Sequence, residues 1–295
     1  MRSLLFVPGD NARMLAKALA SEADAIIVDL EDSVTETNKM AARDLARTCL
    51  GDAVAVADRP RLIVRINALT TAHWRRDLDV VMPCRPDAVM LPKPRSGADV
   101  TELSSALDRH EQSAGRRIGS TGIVAIATER AISLLAMPSY IGASARLSGL
   151  AWGTEDLSAE LGAASAYHED GRLASPFRLA RDLCLVTATA AGVDAIDQVY
   201  VALRDLTGLE REARAAARDG FSGKMAIHPD QVAVINAAFM PNTDEIAAAR
   251  DLIAAFAKRG NASGAFEHQG RMVDAPHLTR AKRLLARAER TGRKR

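Results

Sequence analysis

The stretch Lys224–Pro229, KMAIHP, is the last of a series of short apolar, β-rich runs, and its presence decides between an open sheet and a closed barrel. Counting back from it, the earlier runs are RSLLFVPG (2–9), AIIVDLED (25–32), RLIVRIN (61–67), AVMLPKP (88–94), STGIVAIATE (120–129), LSGLAWGTED (147–156) and DAIDQVYVAL (194–203). Each is followed by a segment with helical patterning, for example residues 37–50 after the second run and residues 176–191 after a polar loop behind the sixth. Strict β-then-α alternation implies a parallel sheet, and eight repeats imply closure into a (β/α)8 TIM barrel. A doubly wound open sheet is the alternative, but no GxGxxG follows the first run. Residues 1–240 are therefore assigned to the barrel. Residues 241–295, read as a helix, a Gly-punctuated loop (NASGAFEHQGRMVD) and a final helix, form a C-terminal helical extension.

The composition sets the broad class. The chain has 295 residues, 48% hydrophobic and 26% charged, which is ordinary for a globular protein with a large core. Aromatics make up only 4%, so the core consists mainly of Ala, Leu, Val and Ile. The net charge of +2 conceals a basic end: from Arg280 to Arg295 eight basic residues stand against one acid. A solvated helix with a frayed end explains that excess, and no nucleic-acid module accompanies it. Cys49, Cys84 and Cys184 are odd in number and widely spaced, which points to a reducing compartment and away from a thiolate metal site. The apolar run before Pro8 is too short for a signal peptide, and nothing approaches the roughly 20 apolar residues of a membrane span. A cytoplasmic protein without membrane partners is expected.

In barrels the reactive groups gather at the C-terminal ends of the strands. Here those ends carry Asp29, Glu31 and Asp32, then Arg65 and Asn67, Lys93, Glu129, the doublet Glu155–Asp156, and His228. Any one of them could be a cap or a rim ion pair; their convergence on one face is the signal. Side chains alternate along a strand, so only one acid of the doublet Glu155–Asp156 should face the mouth, and the same rule separates Glu31 from Asp32. With Glu129 on the neighbouring strand, one acid of that doublet makes a two-carboxylate oxygen site. That is the pattern of Mg²⁺, with Mn²⁺ as a substitute, and no His- or Cys-rich set competes for zinc. His228 reads as a hydrogen-bonded structural residue. Arg65 beside such a site supplies a planar cation suited to a carboxylate or an enolate oxyanion formed next to a carbonyl.

Taken together, RSLLFVPG, DLED, VRIN, LPK, IATERA, WGTEDLSAELG, GFSGKMAIHP and RMVDAPHLTRAKRLL resemble the citrate lyase β-subunit-like and malyl-CoA lyase proteins of the HpcH/HpaI aldolase superfamily. The resemblance runs from residue 2 to about residue 285, in order. It implies a Mg²⁺-dependent carbon–carbon lyase that cleaves, or forms, a 3-hydroxyacyl-CoA such as citryl-, malyl- or citramalyl-CoA. It also implies Glu129 and Asp156 as metal ligands, so of the doublet it selects Asp156 and leaves Glu155 pointing away. Arg65 would hold the substrate and its enolate, Glu31 would be an acid of the second strand near the metal, and Lys93 would belong to the substrate site. Phe6, Lys17 and Pro229 would line a coenzyme A channel. Asp274 would be an acid/base group reaching a neighbouring subunit's site, which implies a homotrimer or hexamer.

Two positions depart from the relatives. Asn11 stands where malyl-CoA lyases tend to carry an arginine, and Arg130 follows Glu129 where a small Thr is usual, so the pocket could be reshaped. Two other activities suit nearly the same residues: a malyl-CoA-type thioesterase, and an accessory citrate-lyase-like subunit acting on a carrier-bound thioester.

Overall fold

All eight runs are strands. The computed structural model describes residues 1–259 and 264–292, and the chain divides into two compact units, residues 1–236 and 237–295. The first unit holds β1 (Ser3–Pro8), β2 (Ala25–Asp29), β3 (Arg61–Arg65), β4 (Ala88–Leu91), β5 (Gly122–Ile126), β6 (Leu147–Ala151), β7 (Asp194–Asp197) and β8 (Gly223–Ala226). They pair in chain order into a closed barrel. The last strand returns to the first in parallel register, Ser3 opposite Lys224, Leu4 opposite Met225 and Leu5 opposite Ala226.

Parallel neighbours need a crossover, and helices provide it. These are α1 (Ala12–Leu19), α2 (Lys39–Ala53), α3 (His73–Val81), α4 (Gly97–Ser113), α5 (Ala131–Leu135), α6 (Glu155–Leu161), α7 (Ser175–Ala191) and α8 (Leu206–Asp219), while α9 (Pro229–Ala238) follows the last strand. Asn11 is the N-cap of α1, its Oδ1 accepting the Met14 amide at 3.0 Å. Asn11 thus satisfies a helix end, a contribution of about 1 kcal/mol.

Period-two alternation fills the barrel. Leu4, Ala25, Ile27, Ile63, Met90, Val124, Ile126, Ala151, Ile196 and Met225 form one buried cluster inside it. Carried two residues further, the same alternation turns Asp29 and Arg65 inward at the C-terminal rim, as the next layer above Ile27 and Ile63. The polar rim is thus the top layer of the core pattern.

Several segments differ from the sequence reading. Residues 155–161, expected as strand end and polar loop, form α6, which is seated by Leu157 in a small apolar cluster with Phe177 and Ala180. Each strand also ends before its acidic tail: β2 stops at Asp29 and β6 at Ala151.

The second unit contains α10 (Thr243–Arg259), β9 (Phe266–His268), β10 (Arg271–Val273) and α11 (Ala275–Gly292). The Gly-punctuated loop proves to be an antiparallel hairpin. Its two turn residues, Gln269 (φ 52°) and Gly270 (φ 74°), both have positive φ, the signature of the tight turn whose twist matches paired strands. The start of that loop (residues 260–263) and the basic end (residues 293–295) lie outside the described residues. Among the described residues no helix is long and apolar enough to cross a membrane.

Candidate active site

A cavity of about 390 Å³ opens at the C-terminal rim of the barrel. Phe6, Arg65, Glu129, Glu155 and Asp156 stand on its wall, with Asp29 and Asp32 beside them, and its floor is apolar, formed by Ile126, Val199 and Met225.

Arg65 is the most constrained group. Its Nε and Nη2 donate to the two carboxylate oxygens of Asp29, both at 2.7 Å, and its guanidinium carbon lies 4.8 Å from the Phe6 ring centroid. Its Nη1 also lies 3.1 Å from Glu31 Oε2. That approach is electrostatic, because Glu31 Oε2 is buried without an aligned hydrogen bond. Burial opposes the charge on Asp29, yet the Arg65 hydrogen bonds outweigh it and hold the carboxyl below its ordinary range. Burial likewise disfavours the charged guanidinium, but Asp29 and Glu31 raise the Arg65 pKa instead. The arginine is therefore a fixed cation aimed into the mouth.

Lys93 joins the acids. Its backbone φ of 49° is left-handed, an unfavourable setting for a side-chain-bearing residue and worse for one followed by Pro94. The strained turn lets one residue act twice. Its backbone N–H reaches Glu129 Oε2 at 2.5 Å. Its ammonium meets Glu31 Oε1 at 2.5 Å, Asp32 Oδ2 at 2.7 Å and Asp156 Oδ1 at 3.3 Å. Burial would lower the Lys93 pKa, but these acids raise it overall. Beneath them the buried Lys39 ammonium donates to the carbonyls of Leu30 and Glu31 at 2.8 and 2.7 Å, fixing the turn that carries Glu31.

Glu129 is the least comfortable acid. Burial first, then the charges of Glu31 and Asp156, push its carboxyl up to about 8. Glu31 is raised as well, chiefly by burial. Crowded, desolvated carboxylates of this kind fit a cation. Among the described residues no group of three or more His, Cys, Asp and Glu forms a metal cage. The donor set is instead a pair of hard oxygens, Glu129 and Asp156, with the orphan Oε2 of Glu31 nearby, and this fits Mg²⁺ with water or substrate completing its shell.

The alternation argument for the paired acids fails here, for a physical reason. β6 ends at Ala151, and Glu155 and Asp156 occupy the first turn of α6. Both residues border the cavity, and the exposed Glu155 carboxylate accepts the Thr154 hydroxyl at 3.4 Å, a rim hydrogen bond. Glu31 and Asp32 also lie past their strand and share one ammonium.

The other sequence candidates sit elsewhere. Lys17 is exposed in the last turn of α1 and Pro229 opens α9, neither on the cavity wall. Arg130 turns to Glu160 of α6, Nε to Oε2 at 2.9 Å, leaving the pocket unblocked. His228 accepts the Asp230 amide at 3.2 Å, as a structural residue would. Asp274 belongs to the second unit, where it precedes α11 and pairs with His277 Nδ1 at 2.6 Å. Sequence reasoning named Asp29 at the rim without its role as the anchor of Arg65, and it missed the supports Lys39 and Thr128, whose hydroxyl accepts the Gly153 amide at 3.1 Å.

A parallel eight-stranded barrel with a carboxylate-rich mouth and a pinned arginine at its C-terminal rim has the architecture of a barrel enzyme. A family profile described as HpcH/HpaI aldolase/citrate lyase matches residues 2–229, and one described as C-C bond lyase of the TIM-barrel fold matches residues 177–292. The chain belongs to the HpcH/HpaI aldolase/citrate lyase family. It is 38% identical over 284 residues to the citrate lyase subunit beta-like protein of Mycobacterium tuberculosis, covering 96% of this chain and 94% of that one. It is also 38% identical over 289 residues to a (3S)-malyl-CoA thioesterase of Cereibacter sphaeroides, covering 98% and 94%. A crystal structure of CitE from M. tuberculosis in complex with magnesium, acetoacetate and coenzyme A superposes with a TM-score of 0.80 at 36% identity, covering 98% of both chains.

Proposed function

We propose that the protein is a Mg²⁺-dependent carbon–carbon lyase that cleaves, or forms, a 3-hydroxyacyl-CoA of the malyl, citramalyl or citryl type. The observation that carries this reading is the placement of Glu129 and Asp156 on one cavity wall beside the immobilised Arg65. The magnesium and coenzyme A held by the M. tuberculosis relative support it.

Glu129 and Asp156 would hold the ion, which when bound supplies a Lewis acid for the oxygens of the oxo-acid half. Glu31, whose Oε2 carries no hydrogen bond, accepts the 3-hydroxyl proton. The bond between C2 and C3 breaks, its electron pair forms the thioester enolate, and the hydroxyl carbon becomes the carbonyl of a 2-oxo acid. Arg65 has N–H groups left over after serving Asp29 and holds the enolate oxygen. Protonation of the enolate carbon gives the acyl-CoA. We assign that proton to Asp274 of a second subunit, so the active species would be a trimer or hexamer and a monomer would be inactive. Lys93 orders the acids, and Phe6, Lys17 and Pro229 mark the path for the coenzyme.

The thioesterase relative supports a second reading on the same residues, hydrolysis of the thioester. Mass-spectrometric product analysis with malyl-, citramalyl- and citryl-CoA, with Mg²⁺ and with EDTA, separates the two. Acyl-CoA plus 2-oxo acid supports the lyase, whereas free CoA plus intact hydroxy acid supports the thioesterase. Turnover unaffected by EDTA overturns both.

A further inference from the structure

Outside the barrel wall lies a buried charge cluster that the proposed chemistry does not use. The Lys224 ammonium on β8 is fully buried between Asp197 Oδ2 of β7 at 2.7 Å and Glu212 Oε1 of α8 at 2.6 Å. The other oxygen of Asp197 accepts the indole N–H of Trp152 at 2.7 Å. Asp197 and Trp152 are each 1% exposed, and neither they nor Lys224 stand on the cavity wall.

Such a cluster is weak evidence for stability. Replacing a buried ion pair by apolar residues of similar volume is often neutral or stabilising. Elsewhere on this barrel the outward-facing strand positions carry residues such as Ile26, Leu62, Val64 and Val89. The charges at Asp197 and Lys224 therefore call for a different explanation, and their contact with Trp152 supplies one.

Trp152 directly follows β6 and opens the turn Gly153–Asp156. That turn is held at two points. Two residues beyond β5, Thr128 Oγ1 accepts the Gly153 amide at 3.1 Å, and Thr128 adjoins Glu129. From β7, Asp197 holds the Trp152 indole. We infer that Asp197, itself fixed by Lys224, is a positioning residue that anchors Trp152 and so sets the place of Asp156 opposite Glu129. Lys224 orients the Asp197 carboxylate through its 2.7 Å contact with Oδ2, the indole keeps it in reach of the turn, and neither residue touches substrate or metal.

This inference rests on the reading of Glu129 and Asp156 as the metal pair, and the test separates the two. In the full-length protein, Trp152→Phe retains an aromatic ring but removes the N–H. The double variant Asp197→Leu/Lys224→Met replaces the charges by apolar groups of similar size. Binding of MnCl₂ alone, as a paramagnetic substitute for Mg²⁺, is titrated by electron paramagnetic resonance, and thermal stability is recorded on the same samples. Every folded variant of the two should bind Mn²⁺ about 10–100-fold more weakly than the parent, the range found when groups behind metal ligands are removed. Affinity within twofold of the parent in either folded variant, whatever the change in Tm, overturns the inference and leaves the cluster a purely structural device. If the parent binds Mn²⁺ no better than Asp156→Asn, the metal reading itself is wrong. The case in which Asp156→Asn loses binding and Trp152→Phe does not condemns the positioning role alone.

Discussion

Arg65 and Asp29 form a two-point ion pair across β3 and β2, with Nε–Oδ1 and Nη2–Oδ2 both at 2.7 Å. The fork geometry fixes the plane of the guanidinium as well as its charge. A lysine would keep the charge and lose the plane. Arg65→Lys should therefore lower kcat/KM by about 100-fold, the scale of losing one oriented oxyanion donor, with little change in Mg²⁺ affinity. Steady-state kinetics beside a metal titration decides it, and kinetics near those of the parent would remove Arg65 from the oxyanion role.

The acid doublet gives a difference measurement. Asp156→Asn and Glu129→Gln each remove a charged oxygen donor and should abolish Mg²⁺-dependent turnover, as EDTA should in the parent. Glu155→Gln, on the same wall but exposed and free to hydrate, should retain activity within about tenfold, an effect of roughly 1.4 kcal/mol or less. Equal losses at Glu155 and Asp156 would refute the assignment.

Lys93 allows the backbone and the ammonium to be separated. At φ 49° glycine is unstrained and alanine is not, so Lys93→Gly should be more stable than Lys93→Ala by about 1 kcal/mol, despite glycine's greater freedom when unfolded. Both variants should lose activity alike, because both lack the cation shared by Glu31, Asp32 and Asp156. Denaturant midpoints that rank alanine above glycine would show the turn to be unstrained.

Acid should weaken the fold through Glu111. This fully buried carboxylate binds Arg146 and the Gly119 and Thr121 amides. Burial opposes its charge, but the Arg146 and Ser120 hydrogen bonds prevail and depress its pKa far below the usual glutamate value. A depressed pKa contributes stability that is complete above the unfolded value, near 4.5, and is lost as pH falls towards the folded one. Tm measured downward from pH 5 should fall less steeply in Glu111→Gln than in the parent. Parallel curves would mean that other acids dominate.

Much of the fold was legible in the sequence because barrel strands are buried on both faces and read as near-continuous apolar runs. All eight were found, and the runs overshot chiefly at the C-terminal rim, where AIIVDLED leaves the ladder at Asp29, LSGLAWGTED at Ala151 and DAIDQVYVAL at Asp197. α6 escaped notice because its seven residues are too short to show periodicity. The β9–β10 hairpin escaped because Gln269–Gly270 is an unusual turn pair.

The sequence by itself determined the parallel barrel, the family resemblance and the roster of ionisable groups at one rim, since these depend on local pattern and strand order. Only the tertiary structure decided how those groups face one another. Glu155 and Asp156 share the cavity wall because a helix begins where the strand stops, and Arg65 is held by Asp29 on the adjacent strand, 36 residues away. Asp197 reaches Trp152 across 45 residues of chain. Such contacts are set by the register of paired strands and the packing behind them, which no local run of residues encodes.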